Sequence, residues 1–421
     1  MTLSKTVLNY FYVLFGGGFA RGVALLNTII IARMLGPAHF GVFSIFYFIM
    51  ILTSQLPYAF DIVFVSYAKK VDSVREKNDI LKTSVVIKLF YLFLVLLLSY
   101  PVSYALAKYC FQKDEIHAFL VMAMLCGGFL TFLMTVASTF QQEERFVWFS
   151  SVHAIYTVLI FICVLALKLT HIEFSLKTVI GIYIVVCVII GTMSIVLLCR
   201  RVGNPFILDK AMLSRSLSQG KWMFGVTLST FLFTRIDILF LTRYLDFESL
   251  GIYSVAAQLV SVLSLATGAL AGICLPKASI AIRSRESFRL FVRESFSPIL
   301  LIEGGLALFI VVAQLTVTIM YGSEYALAGS ILRILLYGWI FNTIFIPFSF
   351  LFYALDDAKT RFFLELWKLL IGVLLLYSLV PLYGLQGGAY AMTLALCVYT
   401  TTSLAVLRYR LTRTHKELCL C

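Results

Sequence analysis

Two arginines lie inside apolar runs, Arg21 within "FARGVALLNTIIIARMLGPAHFGVFS" and Arg235 within "RIDILFLTRYLDFESLGIYSV". A guanidinium stays charged at any pH, and its planar fork of donors fits phosphate or carboxylate oxygens. Arg21 precedes Arg33 by twelve residues, about 18 Å along a helix, which is near the middle of a bilayer. A charge at that depth costs about 2.5–3.5 kcal/mol and is too deep to snorkel. Arg21 is therefore predicted to bind an anion. The alternative, for both arginines, is a packing role with backbone carbonyls or buried carboxylates.

An internal similarity at a spacing of 210 residues relates the two arginines. "IIIARMLGPAHFGVFSI" aligns with "LFLTRYLDFESLGIYSV". Under this shift Arg235 corresponds to Leu25, one helical turn from Arg21 on the same face, and Asp237 corresponds to Asn27. Both arginines are thus expected to face one region. The predicted substrate-binding residues are Arg21, Arg235, Asn27 and Asp237.

Acidic residues inside apolar runs are candidates for coupling transport to H⁺ or Na⁺. Glu303 is predicted to lie about 10 Å inside its segment, where a salt-bridged structural role is the open alternative. Asp61 is the first acidic residue of the chain and a second candidate. It is expected about 13 Å from the level of Arg21, too far for a direct pair. Lys88 and Arg333 lie near segment ends and are expected to snorkel.

Other chemistry finds little support in the sequence. "SQGKW" fails the phosphate-loop pattern, and neither HExxH nor paired CxxC motifs occur, so no metal or nucleotide site is predicted. The Gly16–Gly18 run is expected to serve close helix packing or a bend. The loop 277–293 could form an interfacial amphipathic helix. Apart from H⁺ or Na⁺, no cofactor is expected.

Composition indicates a membrane protein. The 421 residues are 61% hydrophobic and 13% charged, whereas about a quarter of residues are charged in soluble domains. Segments long enough to cross a bilayer as helices number twelve. They lie at 7–33, 40–66, 83–107, 117–140, 150–168, 178–199, 220–243, 250–275, 296–320, 329–354, 362–381 and 386–407.

Lysines and arginines set the orientation. With the N-terminus inside, 23 fall on the cytoplasmic side and six in outer loops, so both termini are predicted to be cytoplasmic. The net charge of +13 is therefore mainly a topology signal and does not indicate nucleic acid binding. It could also attract acidic lipid headgroups.

The internal similarity predicts two six-helix bundles related by a pseudo-twofold axis along the membrane normal, with a cleft between them. The first bundle is placed at 1–200 and the second at 220–408. The cytoplasmic loop 201–219 links them, and 409–421 forms a basic cytoplasmic tail. The fold class is all-α and polytopic.

Several stretches resemble one transporter family. "IARMLGPAHFGVFS", "VSYAKK", "FQQEERF", "RIDILFLTRYLDFESLGIYSVAAQL" and "LVPLYGLQGGAYAM" are similar to polysaccharide exporters of the MOP superfamily, in particular Wzx-type O-antigen flippases. The resemblance implies a MOP/MATE-like fold with alternating access around a cationic cavity. It also implies transport of undecaprenyl-diphosphate-linked oligosaccharide from the cytoplasmic to the periplasmic leaflet.

The same resemblance implies a place in the bacterial inner membrane, in O-antigen or related surface polysaccharide synthesis. A polymerase and a chain-length regulator of that pathway would be candidate partners. One alternative is a multidrug extruder of the same superfamily, which would usually carry an acid in its first helix. Another is a membrane polymerase or ligase, but the large outer loop typical of such enzymes is missing.

Overall fold

The computed structural model describes residues 2–68, 73–170, 173–203, 210–263, 270, 274, 277–278, 281–282, 285–355 and 357–418. Every regular element in this part of the chain is a helix, with no strand among the described residues. Helices satisfy their backbone hydrogen bonds internally, as lipid requires. The predicted all-α class is confirmed.

The helices of the first half are long and joined by short connections. They are α1 (Thr2–Gln55), α2 (Tyr58–Ala68), α3 (Val74–Ala105), a π-helix (Leu106–Phe111), a 3₁₀-helix (Asp114–Ile116), α4 (His117–Gln142), α5 (Phe146–Leu169) and α6 (Leu176–Val202).

The second half contains five further α-helices and one short 3₁₀-helix. They are α7 (Lys210–Tyr244), α8 (Phe247–Val262), α9 (Arg285–Tyr321), a 3₁₀-helix (Ser323–Tyr325), α10 (Ala328–Ala354) and α11 (Ala358–Leu418). Helix α7 begins at Lys210, inside the segment expected to be a linker loop. Arg285 to Arg293 form the first turns of α9, continuous with a spanning helix, and half of 277–284 lies outside the described residues.

Two of the helices are interrupted by a glycine with positive φ. In α1 the break is at Gly36 (φ 72°, ψ 171°), followed by Pro37. In α11 it is at Gly384 (φ 54°, ψ −127°), three residues after Pro381. Side chains with a Cβ avoid this region, and proline removes a helical donor, so the chain changes direction at both points. The break in α11 separates the predicted spans 362–381 and 386–407. The break in α1 separates 7–33 from 40–66, and the second of these continues past Gln55 into α2.

Within the described residues, nine stretches are long and apolar enough to cross a membrane. Two of them contain the breaks at Gly36 and Gly384. The shorter helix Phe247–Val262 covers the first part of the predicted span 250–275, most of whose remainder lies outside the described residues. The multi-pass membrane character is confirmed. The count of twelve and the cytoplasmic termini remain predictions.

The chain divides into two compact units, Met1–Phe231 and Leu232–Cys421. Unit 1 has a core where α2, α3, α4 and α6 meet, around Phe64, Leu81, Val85 and Phe132. Unit 2 has a core around Phe291, Phe345, Leu351 and Tyr399. Polar and charged side chains lie beside both cores.

Candidate functional site

Arg21 lies on an open face of α1. Its side chain is exposed, and within the described part of the chain it makes no hydrogen bond or ion pair. Gly17, Gly18 and Gly22 surround it in sequence, and a Cβ at any of the three would meet no atom within 4 Å. The guanidinium therefore has unoccupied space beside it on its own helix.

Gly16 behaves differently from its two neighbours. A Cβ at Gly16 would lie 2.5 Å from the Cβ of Ser150, so this glycine allows close packing of α1 against α5. The predicted packing role holds at Gly16, but Gly17 and Gly18 have no such neighbour.

Asn27 lies on the buried face of α1. Its Nδ2 donates a 3.0 Å hydrogen bond to the hydroxyl of Tyr183 on α6, whose ring packs against Phe43 and Phe46. The structure thus places Asn27 in the interior of unit 1, while Arg21 lies on an exposed face of the same helix. It does not bring these two predicted site residues together, and a substrate contact by Asn27 stays a prediction.

Arg235 is half-buried on α7. Its Nη2 donates a 3.2 Å hydrogen bond to Oε1 of Gln258 on α8. Asp237 is buried and accepts a 2.7 Å hydrogen bond from the hydroxyl of Tyr253, and a second bond from the backbone N–H of Ile238. The hydrogen bond to Gln258 is to a neutral amide, so it orients Arg235 without neutralising it. Asp237 is held by Tyr253.

Glu303 lies in α9, eighteen residues after the helix begins at Arg285. Both of its carboxylate oxygens are buried, and neither has a hydrogen-bond partner among the described residues. No ion pair to Glu303 occurs in that part of the chain. The salt-bridged alternative therefore has no partner there, and the coupling role stays a prediction.

Lys88 does not snorkel, and that prediction is wrong. Its side chain is 0% exposed and its Nζ lies 2.5 Å from Oδ2 of Asp61, which is also 0% exposed. The consecutive helices α2 and α3 pack against each other and bring the two charges face to face, so the ammonium is bonded inside unit 1. Arg333, by contrast, is exposed, and its snorkelling stays a prediction.

Asp61 and Lys88 form a complete hydrogen-bond network. Nζ of Lys88 also donates to Oγ1 of Thr135 at 2.6 Å and to the carbonyl of Thr131 at 3.1 Å. Oδ1 of Asp61 accepts from Thr135 at 3.1 Å and from Ser84 at 3.4 Å. All three donors of the ammonium are used, which compensates for burying the charges. An ion coupled at Asp61 would have to displace Lys88.

The structure contains a second buried charge cluster, which was not predicted from the sequence. In α11, Arg361 contacts Oε1 of Glu365 at 2.8 Å, and Lys368 is paired with Oε2 of the same carboxylate. The hydroxyl of Tyr399 donates to Oε1 at 2.9 Å. Spacings of four and three residues place the three charges on one helix face. That spacing is visible in the sequence, but Arg361 lies just outside the predicted span 362–381, where a charged residue is ordinary.

Metal ligation has no basis among the described residues, where no group of three or more His, Cys, Asp or Glu side chains converges. The buried acidic side chains among the described residues are bonded to lysine, arginine or tyrosine side chains, except Glu303, whose carboxylate has no hydrogen-bond partner there. The arrangement can bind anions at Arg21 and orient charge at Arg235.

Comparison with known proteins identifies the family. Residues 7–279 match the model of the family described as "Polysaccharide biosynthesis protein". No curated protein matches the chain. Among solved structures, the chain is similar to the lipid II flippase MurJ in an inward closed conformation, with TM-score 0.75 and 17% identity, over 94% of this chain and 87% of that one.

Two multidrug transporters have a similar fold. An inward-facing MATE family transporter of the MOP superfamily matches with TM-score 0.75 and 14% identity, over 94% of this chain and 96% of that one. The MATE multidrug transporter DinF-BH matches with TM-score 0.70 and 15% identity, over 95% of this chain and 94% of that one. The chain therefore belongs to the polysaccharide biosynthesis protein family and is a multi-pass membrane protein whose fold is similar to those of the matched flippase and multidrug transporters.

Proposed function

We propose that this protein moves undecaprenyl-diphosphate-linked oligosaccharide repeat units from the cytoplasmic to the periplasmic leaflet. The observation that carries the proposal is Arg21, an exposed arginine in a membrane-spanning helix with no partner among the described residues. A permanent cation with open space beside it fits an anionic ligand, and the family supplies a polysaccharide context.

The diphosphate head is the part of the lipid-linked substrate that crosses the hydrocarbon of the membrane least favourably. Hydrocarbon penalises an exposed phosphate by many kcal/mol, whereas the prenyl chain can stay in lipid throughout. Only the head needs a polar route. Arg21 would pair with the diphosphate near the midplane, and Arg235, which now bonds a neutral amide, would offer a second cation.

The wider setting belongs to the same proposal. The protein would act in a bacterial inner membrane, for O-antigen or a related surface polysaccharide, beside the polymerase and chain-length regulator of that pathway. Alternating access between 1–200 and 220–408 would move the head, driven by H⁺ or Na⁺ at Glu303 or Asp61. In this role Asn27 and Asp237 would contribute through the side chains they bond.

Ligand binding to the purified protein tests the proposal. We expect undecaprenyl diphosphate to bind more tightly than undecaprenyl monophosphate. Arg21→Ala should weaken diphosphate binding by about tenfold or more, because a hydrogen bond to a charged group contributes about 1.5–3 kcal/mol. Arg33→Ala, on the same helix, is the control and should bind like wild type. Equal affinity of wild type and Arg21→Ala for the diphosphate would overturn the proposal.

The alternative is an extruder of cationic drugs, in line with the multidrug transport named for two of the matched structures. Such an extruder would usually carry an acid in its first helix, yet no Asp or Glu precedes Asp61, and Asp61 is fully buried against Lys88. We expect no saturable binding of a cationic dye to the purified protein. Saturable dye binding that survives Arg21→Ala would favour the extruder.

A further inference from the structure

Lys368 lies in an unusual cage inside unit 2. Its Nζ is 4.8 Å from the ring centroid of Phe233 on α7 and 4.7 Å from that of Tyr399 on the second part of α11. A single carboxylate, Glu365, provides its ion pair. One ammonium therefore joins three helical segments, with two of its sides facing aromatic rings.

This environment differs from that of the other buried lysine. Lys88 uses all three donors on oxygen atoms. Lys368 has one carboxylate oxygen and two ring faces, and ring faces attract an ammonium but are weaker partners than oxygen acceptors. Lys88 therefore has an oxygen partner for each of its three N–H groups, whereas Lys368 has a single oxygen partner.

The cluster can exist in two charge states. With Lys368 protonated, two cations, Arg361 and Lys368, act on the one carboxylate of Glu365. If Lys368 loses its proton, Glu365 still has the Arg361 ion pair at 2.8 Å and the hydroxyl of Tyr399 at 2.9 Å. The neutral state thus leaves no unpaired buried acid, which is the usual obstacle to deprotonating a buried lysine.

The fold itself does not need these charges. At the equivalent positions of the predicted 210-residue repeat, Glu365 corresponds to Ile155 and Lys368 to Val158. Both apolar residues lie in the regular helix α5. A helix of this kind therefore forms without the charged pair, which points to a role other than architecture.

Close packing couples Lys368 to α7. A Cβ at Gly372, one turn after Lys368, would lie 3.1 Å from the ring of Phe233, so the ring sits tightly on α11 at this glycine. The ammonium attracts the face of the same ring. Loss of the charge removes that attraction and loosens α7 from α11.

We propose that Lys368 binds and releases a proton during the transport cycle, and that its charge controls the packing of α7 against α11. In the release step an N–H bond of the ammonium breaks, the electron pair stays on Nζ, and the proton passes to water. Arg361 is the most exposed member of the cluster, so water has nearest access at its end. The link between proton and transport rests on the proposed function, but proton binding does not.

Apart from Glu303, the other charged side chains described on the packed helices have their own partners or are exposed. On α7, Arg235 is bonded to Gln258 and Asp237 to Tyr253. Glu248 on α8 and Arg333 and Tyr337 on α10 are exposed, and on α9 Glu294 is paired with Lys277. Of the remaining α9 groups, Glu286, Arg289 and Arg293 lie in its first turns, and Glu303 is the rival titrating group.

Backbone amide hydrogen exchange of the full chain in detergent tests whether the charge of Lys368 controls the packing of α7 against α11. The exchange rates of residues 232–244 in α7 would be measured across pH and corrected for the pH dependence of exchange in an unfolded peptide. In wild type we expect protection to fall severalfold as pH rises. Lys368→Arg carries a permanent charge and should stay protected at every pH, whereas Lys368→Met should exchange fast at every pH. Lys359→Met, an exposed lysine nine residues earlier, and Glu303→Gln should both follow wild type.

Three results would overturn the inference: pH-independent protection in wild type, a wild-type pH response in Lys368→Arg, or loss of the response in Glu303→Gln. Should Lys368→Met fail to fold, Lys368→Arg alone decides. The exchange samples contain no lipid-linked sugar, so a negative result does not contradict the proposed substrate. Failure to bind undecaprenyl diphosphate would likewise leave the proton site standing.

Discussion

At the scale of single residues, three basic side chains in the helices have three different environments. Lys88 is neutralised and fully hydrogen-bonded by Asp61, Thr131 and Thr135. Lys368 is paired once and otherwise faces rings. Arg21 is left exposed. In the proposals above, these environments correspond to a structural charge at Lys88, a titrating charge at Lys368 and a ligand-binding charge at Arg21.

The Asp61–Lys88 pair leads to a stability prediction. Lys88→Met should destabilise unit 1 by about 3–5 kcal/mol, because Asp61 is left as an uncompensated buried charge. The double variant Lys88→Met/Asp61→Leu should recover much of this loss, since both charges are then removed. Thermal unfolding in detergent measures the effect. Equal stability of Lys88→Met and wild type would contradict a closed structural pair.

Tyr253 offers a comparable test in unit 2. Tyr253→Phe removes the hydroxyl that bonds Asp237 and should cost about 1–3 kcal/mol, the usual penalty for an unsatisfied buried group. Tyr244→Phe, an exposed tyrosine on α7, is the matched control and should be near neutral. A Tyr253 variant as stable as the control would mean that Asp237 does not depend on this bond.

Sequence reasoning located the charges but not their partners. Arg21 could be singled out because its helix offers no acid and its depth rules out snorkelling. Lys88 could not be assigned, because its pairing with Asp61 depends on the register of α2 against α3, which periodicity does not define. The burial of Glu365 and Lys368 could not be predicted, because both lie near the start of the predicted span 362–381, where charges are ordinary.

At the scale of elements, two glycines set the paths of the longest helices. Positive φ at Gly36 and Gly384 is strained for any residue with a Cβ. Gly36→Ala and Gly384→Ala should each cost about 1–3 kcal/mol in thermal unfolding. Gly181→Ala is the control, because Gly181 is helical with no atom near an added Cβ, and it should be neutral or slightly stabilising. Tolerance of alanine at both breaks would show that they can straighten.

The helices themselves were largely predictable, and their ends less so. Apolar length placed the spans 117–140, 150–168 and 178–199 within α4, α5 and α6. The extension of α7 back to Lys210 was not predicted, because that segment is polar and reads as a loop. Hydropathy marks the part of a helix that lipid covers, not the part that continues into water.

At the scale of the whole molecule, the matched family and the fold shared with the MurJ and MATE transporter structures agree with the membrane class expected from composition. Orientation is a separate claim that rests on lysine and arginine counts. A reporter fused after Arg410 should be cytoplasmic, and one within Asp246–Ser249 should be periplasmic. Alkaline phosphatase and green fluorescent protein fusions measure this, and inverted readings would reverse the direction of transport proposed above.

The central claim is that Arg21 pairs with the diphosphate head as it crosses the membrane. Its most direct test is surface polysaccharide in cells that depend on this chain for export, at matched protein level in the membrane. We expect Arg21→Ala to abolish the polysaccharide, Arg21→Lys to restore part of it by keeping the charge without the bidentate fork, and Arg33→Ala to resemble wild type. Normal polysaccharide in Arg21→Ala cells would contradict the claim.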